Sequence, residues 1–334
     1  VKRSWIALLV VVVLVVALIG YVSYVGVVAS GLLVDAPPTG DCRTPDVEFG
    51  WRYEAINYDI ADDAELKTRN ASPTECSYQG VKAGDQVVSE DGIRVAGWYV
   101  PAGDGAPPAA PTVVIVHGFQ GNKSTVLEYG EGLHETFNLV VLDLRNGGRS
   151  TGSQTTAGAL EQRDLRAIVD WLDRTKHPAR IGLLGNSMGA VTSLAEAIRD
   201  PRIAAIALDS MHTRMRYQIE ARLGEAGHPP YPGTWAVFVA TLLRTGVDIG
   251  SIDAEDELAQ LGRRPMLLLH GSADVEDLPE RTQAFYEEAV AAGIPAELHF
   301  CDRSGHTAPA GMPVHVCHDA YGGWLRDFFA RTLR

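Results

Sequence analysis

The sequence predicts an α/β protein: a mostly parallel central sheet with helices on both faces, an antiparallel hairpin at its N-terminal edge and a small helical cap. Three observations carry this. From residue 112 onward short apolar runs alternate with helical stretches, and strands that alternate with helices imply a parallel sheet covered on both sides. A hairpin pattern precedes the first of these runs. At 334 residues, 46% hydrophobic and 21% charged, the chain can bury one sizeable core and still carry a short appendage.

The first element reads as that appendage. Lys2 and Arg3 precede Trp5 to Ser30, a stretch with no charged residue. Twenty-six such residues, many of them Val, Leu and Ile, suffice for a helix that crosses a bilayer. The basic pair on the short flank puts that end in the cytoplasm and the folded part outside. The rival is a cleaved signal peptide, with Val27 and Ala29 ahead of a cut before Ser30. Secretory apolar regions usually run about 7–15 residues, far fewer than here. Either reading exports the domain. Residues 1–30 are thus an anchor or signal, 31–80 a linker and N-terminal extension, and 81–334 the folded domain.

Four cysteines suit an exported chain: Cys42, Cys76, Cys301 and Cys317. The expected pairing is sequence-local, 42 with 76 and 301 with 317, the alternative being four buried free thiols. No Cys-x-x-Cys or His-rich spacing suggests zinc, and neither a metal nor a cofactor is expected. The formal net charge is −13; without Lys2 and Arg3, 27 basic residues face 42 acidic ones, for −15. Such a surface repels nucleic acid, and no basic run offsets it.

Taken in order, residues 31–50 have a Gly/Pro-rich linker composition, and 51–60 read as a strand. Asn70-Ala71-Ser72 matches a glycosylation acceptor and marks an exposed loop. Val87-Val88 and Ile93 to Val100 flank Asp91-Gly92, a tight-turn signal, so Asp85 to Val100 reads as a hairpin. The buried strands are Thr112 to Val116, Leu139 to Leu144, Ile181 to Leu184, Ile203 to Leu208, Met266 to Leu269 and Ala296 to Phe300. Gly158 to Thr175 and Pro279 to Ala292 read as helices between them. Residues 211–264 are a long insertion after the fourth run, either a cap over the strand ends or a helical excursion that completes the core.

In such sheets function collects at the carboxyl ends of the strands, and four motifs fall there. Gly185-Asn186-Ser187-Met188-Gly189 sits between a strand and a helix. A sharp reversal at Ser187 needs glycine two residues away on each side and leaves the hydroxyl at the tip of a turn beside a helix N-terminus. His117-Gly118-Phe119 follows the first run; the backbone N–H groups of Phe119 and Met188 are the expected oxyanion donors, with His117 a loop brace. His270-Gly271-Ser272-Ala273-Asp274 follows the fifth run. Asp274 is the expected acid, with Asp209 and Asp277 as rivals. Asp302-Arg303-Ser304-Gly305-His306 follows the sixth, and His306 is the expected general base. His299 reads as structural, and His315 and His318 as part of or close to the last helix. The order Ser187, Asp274, His306 suits a nucleophile, an orienting acid and a base.

With these residues in this order the chain resembles the α/β-hydrolases, over roughly residues 80 to 334. The resemblance rests on His117-Gly118-Phe119, Asp143 to Ser150, Gly185 to Gly189, His270 to Asp274 and Ser304-Gly305-His306. It is closer to the esterase and prolyl-oligopeptidase-like branches than to dehalogenases, which carry aspartate at the nucleophile position. Two departures stand out: Asn146-Gly147-Gly148 replaces the usual Gly-His-Gly, and the spacing from Asp274 to Pro279 is one residue longer than usual. The resemblance implies a serine hydrolase acting on an ester or other acyl bond of a small-molecule or lipid-like substrate. A peptidase or amidase of the same fold, and a non-catalytic binding module, are the alternatives.

Overall fold

The structure, a computed structural model, describes residues 2–36, 43–57, 84–104, 106, 109–251, 253–306 and 317–334. Its centre is an eight-stranded sheet: β1 (Glu54–Ile56), β2 (Gly97–Val100), β3 (Thr112–Val116), β4 (Asn138–Leu142), β5 (Ile181–Asn186), β6 (Ile203–Asp209), β7 (Met266–Gly271) and β8 (Ala296–Cys301). Their spatial order is β1-β2-β4-β3-β5-β6-β7-β8. The strands β3 to β8, which correspond to the six apolar runs, pair in parallel; β1 and β2 are antiparallel at one edge.

Alternate residues of a strand point to opposite faces, and here both faces are apolar. Val114, Val116, Leu183, Ile206 and Leu268 meet Leu165, Ile168 and Leu172 of α3 (Glu161–Thr175), Val191 and Leu194 of α4 (Met188–Arg199) and Phe285 of α8 (Pro279–Ala291). Val113, Ile115, Leu184, Ala207 and Leu267 meet Leu325, Phe328 and Phe329 of α9 (His318–Thr332). The start of α3 falls at Glu161 rather than Gly158 because the Glu161 carboxylate accepts from the backbone N–H groups of Thr156 and Gly158, at 2.8 and 2.9 Å, and holds that stretch as a turn.

The N-terminal edge differs from the expected hairpin. The Asp91-Gly92 turn forms, with Ser89 N–H donating to Ile93 O and Val95 N–H to Val87 O. Its first arm is not a sheet strand, and β2 pairs instead with β1 on one side and β4 on the other. The turn is drawn elsewhere: the Asp91 carboxylate binds the Arg145 guanidinium at 2.8 and 3.1 Å. The linker reading of 31–50 also gives way at both ends. The apolar helix α1 runs from Lys2 to Val34, and α2 spans Pro45–Phe49, with proline at its first position, where no N–H is required.

The insertion holds α5 (Met215–Glu225), α6 (Pro230–Thr245) and α7 (Ala254–Glu257). It builds a third apolar cluster, apart from the two sheet faces, from Met215, Ile219, Leu223, Val237 and Ile249. The end of α1 joins this cluster through Val25, Ala29 and Leu33. This corrects the reading of the N-terminal segment as a mere appendage. Gly26 permits the approach: a Cβ there would lie 2.7 Å from the carbonyl oxygen of Ala236.

Cys301, at the end of β8, is bonded to Cys317, the residue before α9, with 5.7 Å between their Cα atoms. Cys42, Cys76, Asn70 and His315 lie outside the described residues. The bond closes a loop that carries His306. Replacing both Cys301 and Cys317 by Ser is expected to cost about 3 kcal/mol in the chain-entropy picture, read as a lower denaturation midpoint. Non-reducing peptide mapping of the wild type should recover the two peptides linked.

Candidate active site

The site is built around the junction of β5 and α4. Ser187 has φ 52° and ψ −118°, a positive-φ conformation that a side chain makes costly. Two glycines let the chain reverse there. A Cβ at Gly185 would lie 2.2 Å from the carbonyl oxygen of Gly189, and one at Gly189 would lie 2.3 Å from that of Val116. The elbow is held from behind by β6: Ser187 N–H donates to the Asp209 carbonyl at 2.8 Å. The Asp209 carboxylate accepts from Tyr129 Oη at 2.5 Å and from Asn186 Nδ2 at 3.3 Å. Asp209, a rival for the acid, therefore faces the base of the elbow.

The loop after β8 brings His306 over the serine. Its Nε2 lies 2.9 Å from Ser187 Oγ, which can donate to it, and its Nδ1 lies 2.8 Å from Asp274 Oδ2. Asp274 is buried in the loop after β7 and heavily solvated by donors. Glu276 N–H and Asp277 N–H donate to Oδ1 at 2.8 and 3.0 Å. On the other oxygen, His270 Nε2 lies 3.1 Å away. Burial alone would raise the Asp274 pKa, but the hydrogen bonds from His270 and His306 and the nearby imidazole charge outweigh it. The carboxyl is held well below its usual range and stays ionised. His270 was not singled out as a partner of this acid. The i, i+4 spacing spans a strand end and a turn, so neither helix nor strand periodicity brings the two together.

Asp277 has its Oδ2 3.8 Å from His306 Nδ1 and accepts a hydrogen bond from Gln218 of α5. Burial raises its pKa to about 6, and the negative Asp274 adds to that. Its spacing makes it a second, more distant charge for the imidazole. For His306 burial works against the charged form, yet the hydrogen bond and charge of Asp274, with Asp277 and Glu276 behind it, win and raise the pKa above 6.5. His212, buried at the start of the insertion, is neutral: desolvation first and the neighbouring His306 second lower its pKa to about 4.

The other motifs serve the surroundings. His117 is buried; its Nδ1 donates to Gly118 O at 2.7 Å and its Nε2 accepts from Leu144 N–H at 2.9 Å, so it braces the loop after β3 against the loop after β4. Its pKa is lowered by burial, which suits the neutral ring those two bonds require. A Cβ at Gly118 would lie 3.1 Å from Ser187 Cβ, so the loop bearing Phe119 passes directly against the serine. Met188 begins α4, where an N–H has no intrahelical carbonyl to meet. His299 stacks on Trp324, with ring centroids 4.5 Å apart, as a structural residue. Asn146, one of the departures from the usual motif, donates from its side chain to the carbonyl of Ala36 at 2.9 Å, just beyond the end of α1. Among the described residues no group of three or more His, Cys, Asp or Glu side chains is placed to hold a metal ion.

A sheet of parallel strands with two antiparallel ones at its edge, and a serine at a strand-to-helix elbow facing a histidine and an acid on later strand-end loops, are the features of the α/β-hydrolase fold. The comparisons agree. The family described as alpha/beta hydrolase fold matches residues 111–235. The uncharacterized protein Rv2307c of Mycobacterium tuberculosis H37Rv is 28% identical over 270 residues, covering 79% of this chain and 85% of its own. Among solved structures, the esterase Pf2001 of Pyrococcus furiosus superposes with a TM-score of 0.66 at 20% identity, over 90% of this chain and 99% of that one. Est1E of Butyrivibrio proteoclasticus, solved with ferulic acid, gives 0.56 at 18% identity, over 74% and 98%. The protein has the α/β-hydrolase fold.

His306 must be neutral to accept a proton from a hydroxyl. For any reaction through Ser187, kcat/KM is expected to rise with pH through a midpoint above 6.5. Asp277→Asn removes a charge that favours the imidazolium, so this acid limb should move to lower pH. A pH–rate profile of the two proteins reads the sign directly.

Proposed function

We propose that this protein is a serine hydrolase that cleaves an ester or other acyl bond through an acyl-enzyme on Ser187. The observation that carries the reading is the continuous hydrogen-bonded chain from Ser187 Oγ through His306 to Asp274, with 2.9 and 2.8 Å at its two links. Ser187 Oγ attacks the acyl carbon while its proton passes to His306 Nε2. Asp274, ionised and fixed by its donors, keeps the ring in the tautomer with hydrogen on Nδ1 and steadies the imidazolium. The N–H groups of Phe119 and Met188 receive the negative charge that develops on the carbonyl oxygen. His306 then protonates the leaving group, which departs with its bonding electrons. Water, deprotonated by the same imidazole, attacks the acyl carbon and releases the acid and the free serine.

The helix α1 anchors this domain to a membrane in our reading. It contains a 30-residue apolar span, Trp5–Val34, with a mean hydropathy of 3.0 in its most apolar window. The basic pair Lys2-Arg3 supports an orientation with the domain outside the cytoplasm, and the Cys301–Cys317 bond suits an oxidising compartment. Substrates of small-molecule or lipid-like acyl type are the class that a hydrolase so placed would meet.

A fluorophosphonate probe is expected to label the wild type and not Ser187→Ala. With fluorogenic esters, Ser187→Ala should lose about 10⁴-fold or more in kcat, and Asp274→Asn about 10⁴-fold. A panel of esters, thioesters and amides separates esterase from amidase action. Equal labelling of wild type and Ser187→Ala would overturn the assignment. A silent Ser187 with no turnover would leave the binding-module reading.

A further inference from the structure

The helix α1 changes character along its length. Residues 5–20 are exposed on every side. From residue 22 onward one face is covered, at 22, 25, 26, 29, 30, 33 and 34, the i, i+3, i+4 stripe of a helix packed against a neighbour. The neighbour is α6. Tyr21 Oη and His228 Nδ1 are 2.8 Å apart, Gly26 lies against Ala236, and Asp35 pairs with Arg244. Residue numbers rise together on the two helices, so they run side by side in the same direction. The tip of α6 near Tyr231 lies at the height of Tyr21.

At about 1.5 Å per residue, the stretch from Trp5 to Tyr21 or Tyr24 spans roughly 24–29 Å, close to the hydrocarbon thickness of a bilayer. A rigid partner helix cannot follow α1 further down without entering the lipid. Aromatic residues mark both ends of this stretch, as in spans whose ends sit at the headgroup layer. The upper ring includes the cap: Tyr231 is 84% exposed and Trp235 is 62% exposed. These two large apolar surfaces stand beside an apolar span on an otherwise acidic chain.

We propose that the cap rests on the lipid surface, with Tyr231 and Trp235 in the headgroup layer alongside Tyr21 and Tyr24. This rests on the reading of α1 as a membrane span. The contact is made by aromatic rings rather than basic side chains, so it takes zwitterionic lipid and is insensitive to salt. The insertion is then fixed at a defined height above the bilayer, with α5 and its Gln218 between α6 and the Ser187 site.

The test uses the full chain reconstituted in phosphatidylcholine vesicles with bromine near the glycerol end of the acyl chains, near their ends, or absent. Flotation and quenching of Trp5 report the anchor itself. The emission lost on Trp235→Phe isolates residue 235. It should be quenched about twofold or more by shallow bromine, more weakly by deep bromine, and equally at low and high salt. In the Trp235→Phe background, Tyr231→Trp should restore a shallow-quenched signal. Leu243→Trp, at the far end of α6 and 81% exposed, should give an unquenched one. Thermal unfolding checks that each variant is folded. Floating protein with quenched Trp5 but no quenching at 235 or 231 overturns this proposal and leaves the anchor standing. Protein that does not float overturns the anchor, and this proposal with it.

Discussion

The site depends on a backbone constraint at Ser187. A non-glycine residue at φ 52° has to be held there by its surroundings. They comprise the close passage of Gly185 and Gly189, the β3 carbonyls packed on Gly189, and the Asp209 carbonyl that accepts from Ser187 N–H. These supports come from β5, α4, β3 and β6. A side chain at Gly185 would run into the backbone of α4 at Gly189 and Ala190, and one at Gly189 into the backbone at the end of β3, so neither can be accommodated without moving the helix or the strand. The hydroxyl is therefore positioned by the centre of the fold rather than by a loop.

Around that fixed point the three strand-end acids have different tasks because of what else they touch. Asp209 is turned to Tyr129 and Asn186 beneath the elbow. Asp274 is ringed by donors and bonded to the His306 ring. Asp277 stands farther off, with a raised pKa and a hydrogen bond from the insertion. The result is an imidazole with one tightly bonded, permanently charged neighbour and a second whose charge titrates near neutrality.

Much of this arrangement was legible in the sequence because it follows from local chemistry. Apolar runs such as Thr112 to Val116 fill both faces of a buried strand and are too short between their flanking loops for a buried helix, so the six parallel strands were readable to within a few residues. Gly185 to Gly189 was readable because the glycines flank a turn whose geometry excludes side chains. Asp274 was the expected acid, but Asp209 and Asp277 stayed as rivals, since all three lie at or just past strand ends and only the direction of the side chain separates them. His270 beside Asp274 was hidden for the same reason. The edge strand Glu54–Ile56 pairs with a segment more than 40 residues away, a contact with no local signal. Val25, Ala29 and Leu33 were masked by their own surroundings, because a packed stripe cannot be distinguished within a helix that is apolar all round.

The pairing of Gly26 with Ala236 has a consequence for how the chain is made. The two partners are separated by about 200 residues, which a ribosome adds at roughly 5–20 per second. The stripe on α1 thus waits on the order of 10–40 s, uncovered, before α6 emerges. Throughout that interval the newborn chain presents an unpaired apolar stripe to anything else nearby, so companions that shelter it briefly without holding it would shape the yield of finished protein.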